Sequence, residues 1–289
     1  MVLKTLRYRR ARPAGLDEVV VPQRHPSRWI LAAVLLLFVV MIGEGLVTNP
    51  AMRWDVVWEY LFSEPVLEGL LMTLRITVVA MVIGVVLGAL LAIMRLSANP
   101  VLVAVSVGYS ALFRSIPVLV QLLFWFFLSA ILPNIGVGIP FGPVFAEAET
   151  NSLITRFGAA LLGLGLAEAA YMSEIIRAGI VSVPRGQSEA AAALGMSRGK
   201  ALRRIILPQA MRFIVPPTGN QAISMLKMTS LVIAISLPDL LTSVQIIYAR
   251  NFLQIPLLTV ACIWYLLMTG VLSLGQFYLE RRFGKGATT

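Results

Sequence analysis

The sequence predicts an all-α integral membrane protein with six membrane-spanning helices and both termini in the cytoplasm. Composition supplies the first argument: 58% of the 289 residues are hydrophobic, only 13% are charged, and mean hydropathy is +0.85. A soluble globule carries about 25% charged residues, so soluble-enzyme readings are excluded. Run length supplies the second. Crossing about 30 Å of hydrocarbon takes about 20 apolar residues, and residues 76–94 and 252–279 contain no Asp, Glu, Lys or Arg. The third is the placement of positive charge. With the N-terminus inside, the cytoplasmic segments hold seven basic residues in the tail, Arg95, seven between Arg177 and Arg212, and three from Arg281 onward. Only Arg53, Arg156 and Arg250 fall outside, which is a strong positive-inside bias.

The net charge of +10 would suggest nucleic acid in a soluble protein. Here the charges lie between apolar runs and orient helices, so membrane lipid is the expected surroundings and no nucleic-acid partner is expected. The single cysteine, Cys262, lies within an apolar run and offers neither a disulfide framework nor metal-ligand spacing.

Along the chain, residues 1–28 form a basic, proline-containing cytoplasmic tail, and residues 29–47 form an apolar run broken only by Glu44. A secretory signal is the rival reading of that run. It exceeds the usual 7 to 15 residues of a signal's apolar region, and Val47-Thr48-Asn49 offers no small-x-small cleavage site, so a retained span is expected. Further spans read as about 66–95, 112–132, 157–180, 210–237 and 254–279, followed by a short cytoplasmic tail over 281–289. No internal repeat or low-complexity tract stands out.

The cytoplasmic connection 184–208 is patterned rather than a simple tether. Residues 187–194 are alanine-rich and favour a helix, with Gly195 where a left-handed helix end is expected. Ser197 is placed to cap a second short helix, in which Leu202, Ile205 and Ile206 share an apolar face turned away from Lys200, Arg203 and Arg204. Pro208 is expected to end or kink that helix as the chain re-enters the membrane.

Glu189-Ala190-Ala191, three residues, Gly195, nine residues, Ile205, one residue, then Leu207-Pro208 fill every fixed position of the EAA loop of ABC-importer permease subunits. Phe113-Arg114-Ser115-Ile116-Pro117, Ala170-Tyr171-Met172-Ser173-Glu174 and Pro216-Pro217-x-x-Asn220-Gln221 extend the match, and over about residues 66–284 the chain resembles the polar amino acid permease subfamily. The resemblance implies a permease domain over 66–280 with the ATPase-coupling residues Glu189, Ala190, Ala191, Gly195, Ile205, Leu207 and Pro208. It also implies ATP-binding subunits that hold ATP and magnesium, an extracytoplasmic solute-binding protein, a second permease subunit in a homodimer or heterodimer, and the bacterial inner membrane. Such permeases usually have five spans, so residues 29–47 are an addition. Met228 stands where many relatives carry an acidic or amide residue.

A charge inside a span costs at least about 2.5 kcal/mol on insertion scales, so each is a functional candidate. Glu168 and Glu174, six apart, do not share a helix face, whereas Glu174 and Arg177 can pair as i and i+3. Lys227, followed by Thr229 and Ser230, lies near mid-membrane. With Glu168, Met228, Thr229 and Ser230 it forms the candidate substrate path, Lys227 facing a carboxylate and Glu168 an ammonium. A purely structural ion pair between Lys227 and Glu168 is the alternative, and the sequence leaves both open. Arg75 and Arg114 read as side chains that snorkel from span ends, and Gly84 and Gly88 permit close helix contact.

Catalytic motifs are missing. Gly195-Met196-Ser197-Arg198-Gly199-Lys200-Ala201 is one residue short of a phosphate-binding loop and lacks its hydroxyl, so ATP hydrolysis must come from a partner. The lone His25 has no Cys or His companion for metal or nucleophilic chemistry. No catalytic residue, metal or cofactor is therefore expected in this chain. An ion-coupled secondary transporter using Glu168 and Lys227 is the alternative function, and it leaves the patterned cytoplasmic helix pair without a role.

Overall fold

The computed structural model describes residues 26–139 and 143–283; the tail over 1–25, His25 included, and the last six residues lie outside the described residues. The chain divides into two compact units, residues 1–50 and 51–289. The first contains helix α1 (Pro26–Thr48), whose apolar sequence leaves it no polar face.

The second unit is built on α3 (Glu64–Arg95), preceded by α2 (Trp54–Leu61), and on α7 (Arg156–Val181). Small residues let these two long helices meet closely. A Cβ at Gly84 would stand 2.4 Å from Cγ of Glu168, and one at Gly88 would stand 2.6 Å from Cβ of Met172 and 3.0 Å from the Ala169 carbonyl oxygen. Neither site has room for a side chain. Two apolar cores flank this contact: Ile76, Ala80, Leu122, Leu164 and Met225 on one side, and Ala92, Met172, Ile176, Ala210 and Ile214 toward the cytoplasmic loop.

Two spans differ from the expected straight helices. Residues 112–132 are not one helix: α4 (Pro100–Ser115) and α5 (Val118–Phe126) meet at 98°. Pro117 is the cause, since it lacks an N–H and disfavours helical geometry at Ile116, whose backbone is extended at φ −94°, ψ 129°. Breaking a helix in lipid frees carbonyls that water cannot reach. The buried amide of Gln121 answers this by donating to the Phe113 and Ile116 carbonyls, both at 2.8 Å.

The second departure follows α10 (Leu207–Met228), which passes into a 3-10 turn over Thr229–Ile235 and then bends by 46° into α11 (Leu240–Asn251). Ser236 takes a left-handed conformation, and Asp239 caps α11 by accepting from the backbone N–H and hydroxyl of Thr242 at 2.9 and 2.6 Å. The Leu240 N–H donates to Thr73 of α3 at 3.1 Å. Helix α12 (Gln254–Phe283) closes the unit, its Trp264 indole donating to the Leu61 carbonyl at 2.8 Å. Among the described residues, four helices are long and apolar enough to cross a membrane, or six when each bent pair counts as one span.

A further difference lies between α5 and α7. An antiparallel hairpin of β1 (Asn134–Gly138) and β2 (Val144–Glu149), then the one-turn α6 (Thr150–Leu153), make the fold mostly rather than wholly helical. Gly88→Ala should force a methyl against the α7 backbone and Met172, costing roughly 1–3 kcal/mol. The thermal unfolding midpoint of the detergent-solubilised protein is expected to fall; an unchanged midpoint would show that α3 and α7 pack less closely.

Candidate functional site

The loop over 184–208, expected on the cytoplasmic side, forms the helix pair that its sequence predicts. Helix α8 (Arg185–Ala193) ends where Gly195 adopts φ +69°, with the Gly195 N–H donating to the Ala192 carbonyl at 2.9 Å and the Met196 N–H to the Ala191 carbonyl at 3.0 Å. This paired arrangement is the Schellman end, which needs a left-handed residue that glycine supplies without a Cβ penalty. Ala191 is buried against the rest of the loop, while Glu189 and Ala190 face outward and Leu194 is 78% exposed at the tip.

The second half of the loop differs from expectation in two ways. Ser197 occupies the cap position of the single turn α9 (Arg198–Ala201), but its hydroxyl makes no capping hydrogen bond. Pro208 does not end the helix. A π-helical turn over Leu202–Ile206 carries the chain directly into α10, with the Leu207 N–H bonded to the Leu202 carbonyl. The wider turn fits the proline ring, which would otherwise press on the carbonyl four residues back. Ile205 is half-buried, Leu207 and Pro208 are exposed, and Gln209 ties the halves together through Gln187 at 3.1 Å.

Within the membrane helices, Glu168 is only 3% exposed and accepts from the Gln221 amide at 3.3 Å on both oxygens. Lys227 points elsewhere: it is exposed and forms no ion pair with Glu168, so the structural pairing left open by the sequence does not occur within the chain. Met228 packs against the Ile76–Leu164 core. Thr229 is buried and donates to the Leu226 carbonyl, and Ser230 donates to that of Lys227. Glu174 and Arg177 do pair, and Arg95 at the end of α3 joins them at 2.9 Å from Glu174. Arg114 lies over the Tyr171 ring, 5.4 Å from its centroid.

Sequence reasoning missed five polar groups. Gln221 and Asn220 were legible as a motif but not as a link: Gln221 reaches Glu168 on α7, and Asn220 accepts from Gln276 on α12 at 3.0 Å. Gln121, next to a proline inside a predicted span, could have been found as a carbonyl cap. Arg95 and Asp239 had no local signal. Among the described residues, no group of three or more His, Cys, Asp or Glu side chains is placed to hold a metal ion.

Residues 84–285 match the model of the binding-protein-dependent transport system inner membrane component, a region that contains the cytoplasmic helix pair, Glu168 and Lys227. The chain belongs to this family. It is 47% identical over 270 residues to the arginine transport system permease protein ArgU of Corynebacterium glutamicum, covering 92% of this chain and 83% of that protein. It is 41% identical over 217 residues to the glutamate/aspartate import permease protein GltK of Escherichia coli, covering 75% and 92%. The crystal structure of an amino acid ABC transporter with histidines superposes with a TM-score of 0.64 at 33% identity, over 75% of this chain and 94% of the other. The methionine transporter MetNI, at 19% identity and a TM-score of 0.58, shares the fold.

Because Glu168 and Lys227 are not partners in the chain, Lys227→Met is expected to leave the amount of subunit in the membrane at the wild-type level. A quantitative immunoblot showing markedly lower abundance, restored by adding Glu168→Gln, would contradict this geometry.

Proposed function

We propose that the chain is the membrane-spanning permease subunit of an ATP-driven, binding-protein-dependent importer of polar amino acids. The observation that carries the reading is the cytoplasmic helix pair: a slim, alanine-lined helix with a glycine-specific end, an outward-facing Glu189 and an exposed Leu194, set on a continuous helix into the membrane. A rigid narrow element of this kind suits a groove on a partner. In this reading Glu189, Ala190, Ala191, Gly195, Ile205, Leu207 and Pro208 couple the permease to ATPase subunits, which bind and hydrolyse ATP with magnesium. A solute-binding protein delivers the amino acid from outside.

The arginine and glutamate/aspartate permeases among the relatives support polar amino acids as the substrate class. The path runs between this subunit and a second permease, with Glu168, Lys227, Met228, Thr229 and Ser230 contributed from this side. Lys227 is exposed on the chain's surface, where a second subunit or its cargo can meet it. An ammonium and a carboxylate are needed because an unpaired substrate charge in a dry path is strongly disfavoured. The chain spans the bacterial inner membrane six times, with both termini in the cytoplasm.

In proteoliposomes with the ATPase subunits and binding protein, ATP-dependent amino acid uptake is expected. Gly195→Val imposes a β-branched residue on a left-handed backbone at about 1–2 kcal/mol, and Glu189→Lys reverses the outward charge. Both should abolish uptake while the subunit stays in the membrane; wild-type uptake by both variants refutes the coupling assignment. For topology, a cysteine replacing Ser188 in a Cys262→Ser background should label only from inside, and one replacing Ala148 only from outside. Outside labelling of a cysteine at Thr5 would refute the retained first span.

A further inference from the structure

A cavity of about 660 Å³ lies away from Glu168 and Lys227, between α3 and α11. Two helix faces build it. Glu68, Met72 and Arg75 stand at i, i+4 and i+7 on α3, and Ser243, Ile247 and Arg250 at i, i+4 and i+7 on α11. The helices run in opposite directions past one another: a Cβ at Gly69 would meet the Ser243 hydroxyl oxygen at 2.5 Å, while Thr73 accepts from the Leu240 N–H. In the permease reading, where α3 starts on the outer side, Arg75 and Pro238 are the deepest lining residues, Glu68 lies midway, and Arg250, Asn251 and Tyr60 form the mouth.

The charges are what set this cavity apart. Arg75 lies eleven residues into α3, about 16 Å along the helix axis from Glu64, where an ionised side chain is expensive unless it has a use. Its side chain lines the cavity. Glu68, Arg75 and Arg250 are all exposed into it, and none forms an ion pair or side-chain hydrogen bond with another described residue. By contrast Glu168, Asp239 and Glu174 all have partners. Unpaired charges of alternating sign in a concave site call for a ligand with the complementary order of charges.

We propose that this cavity is a second amino-acid subsite, which receives the zwitterionic head of the cargo with its carboxylate at Arg75 and its ammonium at Glu68. Arg250 at the mouth draws the carboxylate inward. The head group is common to all amino acids, so this subsite admits the class and leaves side-chain selection to the binding protein and the deeper path. A guanidinium suits the task because its planar fork matches a carboxylate. The inference rests on the permease reading, in which the cavity opens to the outside of the membrane.

The test uses the complete importer in membranes, with Met72→Cys on the cavity wall in a Cys262→Ser background. A membrane-impermeant methanethiosulfonate should modify this cysteine from outside. Saturating L-arginine or L-glutamine should each slow the reaction about tenfold, as occupancy of about nine sites in ten requires. Agmatine, which is arginine without its carboxylate, should not slow it. Arg75→Gln should make L-arginine behave like agmatine, and Arg75→Lys should restore part of the protection. The subsite is overturned if L-arginine gives no protection, if Arg75→Gln leaves protection intact, or if Met72→Cys does not react because another subunit covers the cavity. ATP-driven uptake by the same membranes separates the two claims. Uptake without protection removes the subsite alone, whereas failure to take up any L-amino acid removes the permease reading and the subsite with it.

Discussion

A bilayer offers no water to backbone groups, so wherever a helix stops inside it the protein itself must supply the missing partners. This constraint explains why the permease unit is arranged as it is. The two long helices α3 and α7 keep their hydrogen bonds to themselves and pack through glycines, forming an unbroken pair. The two broken spans lean on that pair, and each break has a dedicated side chain: Gln121 for the bend at Pro117, and Asp239 with Thr73 for the bend before α11. The prolines inside α10 follow the same rule. Pro216 and Pro217 interrupt its ladder next to Gln276 of α12, which donates to the Pro216 carbonyl and to Asn220.

A consequence is that several polar residues in the spans knit helices together. Glu168 lies under Gly84 and is held by Gln221, so any change at this carboxylate is felt by α3, α7 and α10 together. Glu174 gathers Arg177 and Arg95 where α3 ends, next to the point where the cytoplasmic loop leaves α7. The loop therefore stands on the most firmly connected part of the unit. From Arg198 the chain runs through the π turn into α10 without a break, and Gln209 ties α8 to that run through Gln187.

What the sequence made legible was local. The left-handed Gly195, the alanine helix before it and the i, i+3 pair of Glu174 and Arg177 depend on neighbours within one or two turns, and they stand as the residues imply. The π turn was hidden because a helix that widens around Pro208 has the same residues as one that stops there. The bend at Pro117 was written in the sequence, but the apolar run around it outweighed a single proline. Partners distant in sequence were not legible at all: Arg95 is 79 positions from Glu174, and Gln221 is 53 from Glu168. Arg75 was read as a span-end snorkel, and Arg250 as an outer-loop charge, for the same reason. Glu68, Arg75 and Arg250 acquire a common meaning only when α11 folds back on α3.

If the helix pair couples the permease to an ATPase as proposed, its tip enters that partner subunit. A bimane fluorophore on a cysteine at position 194, in a Cys262→Ser background, reports burial of that tip directly, because Leu194 is 78% exposed in the isolated chain. Its emission should shift to shorter wavelength when the ATPase subunits are added, while the same fluorophore at Tyr278, also exposed on α12, should not respond. An unchanged spectrum at position 194, with ATPase subunits demonstrably bound, would contradict the account.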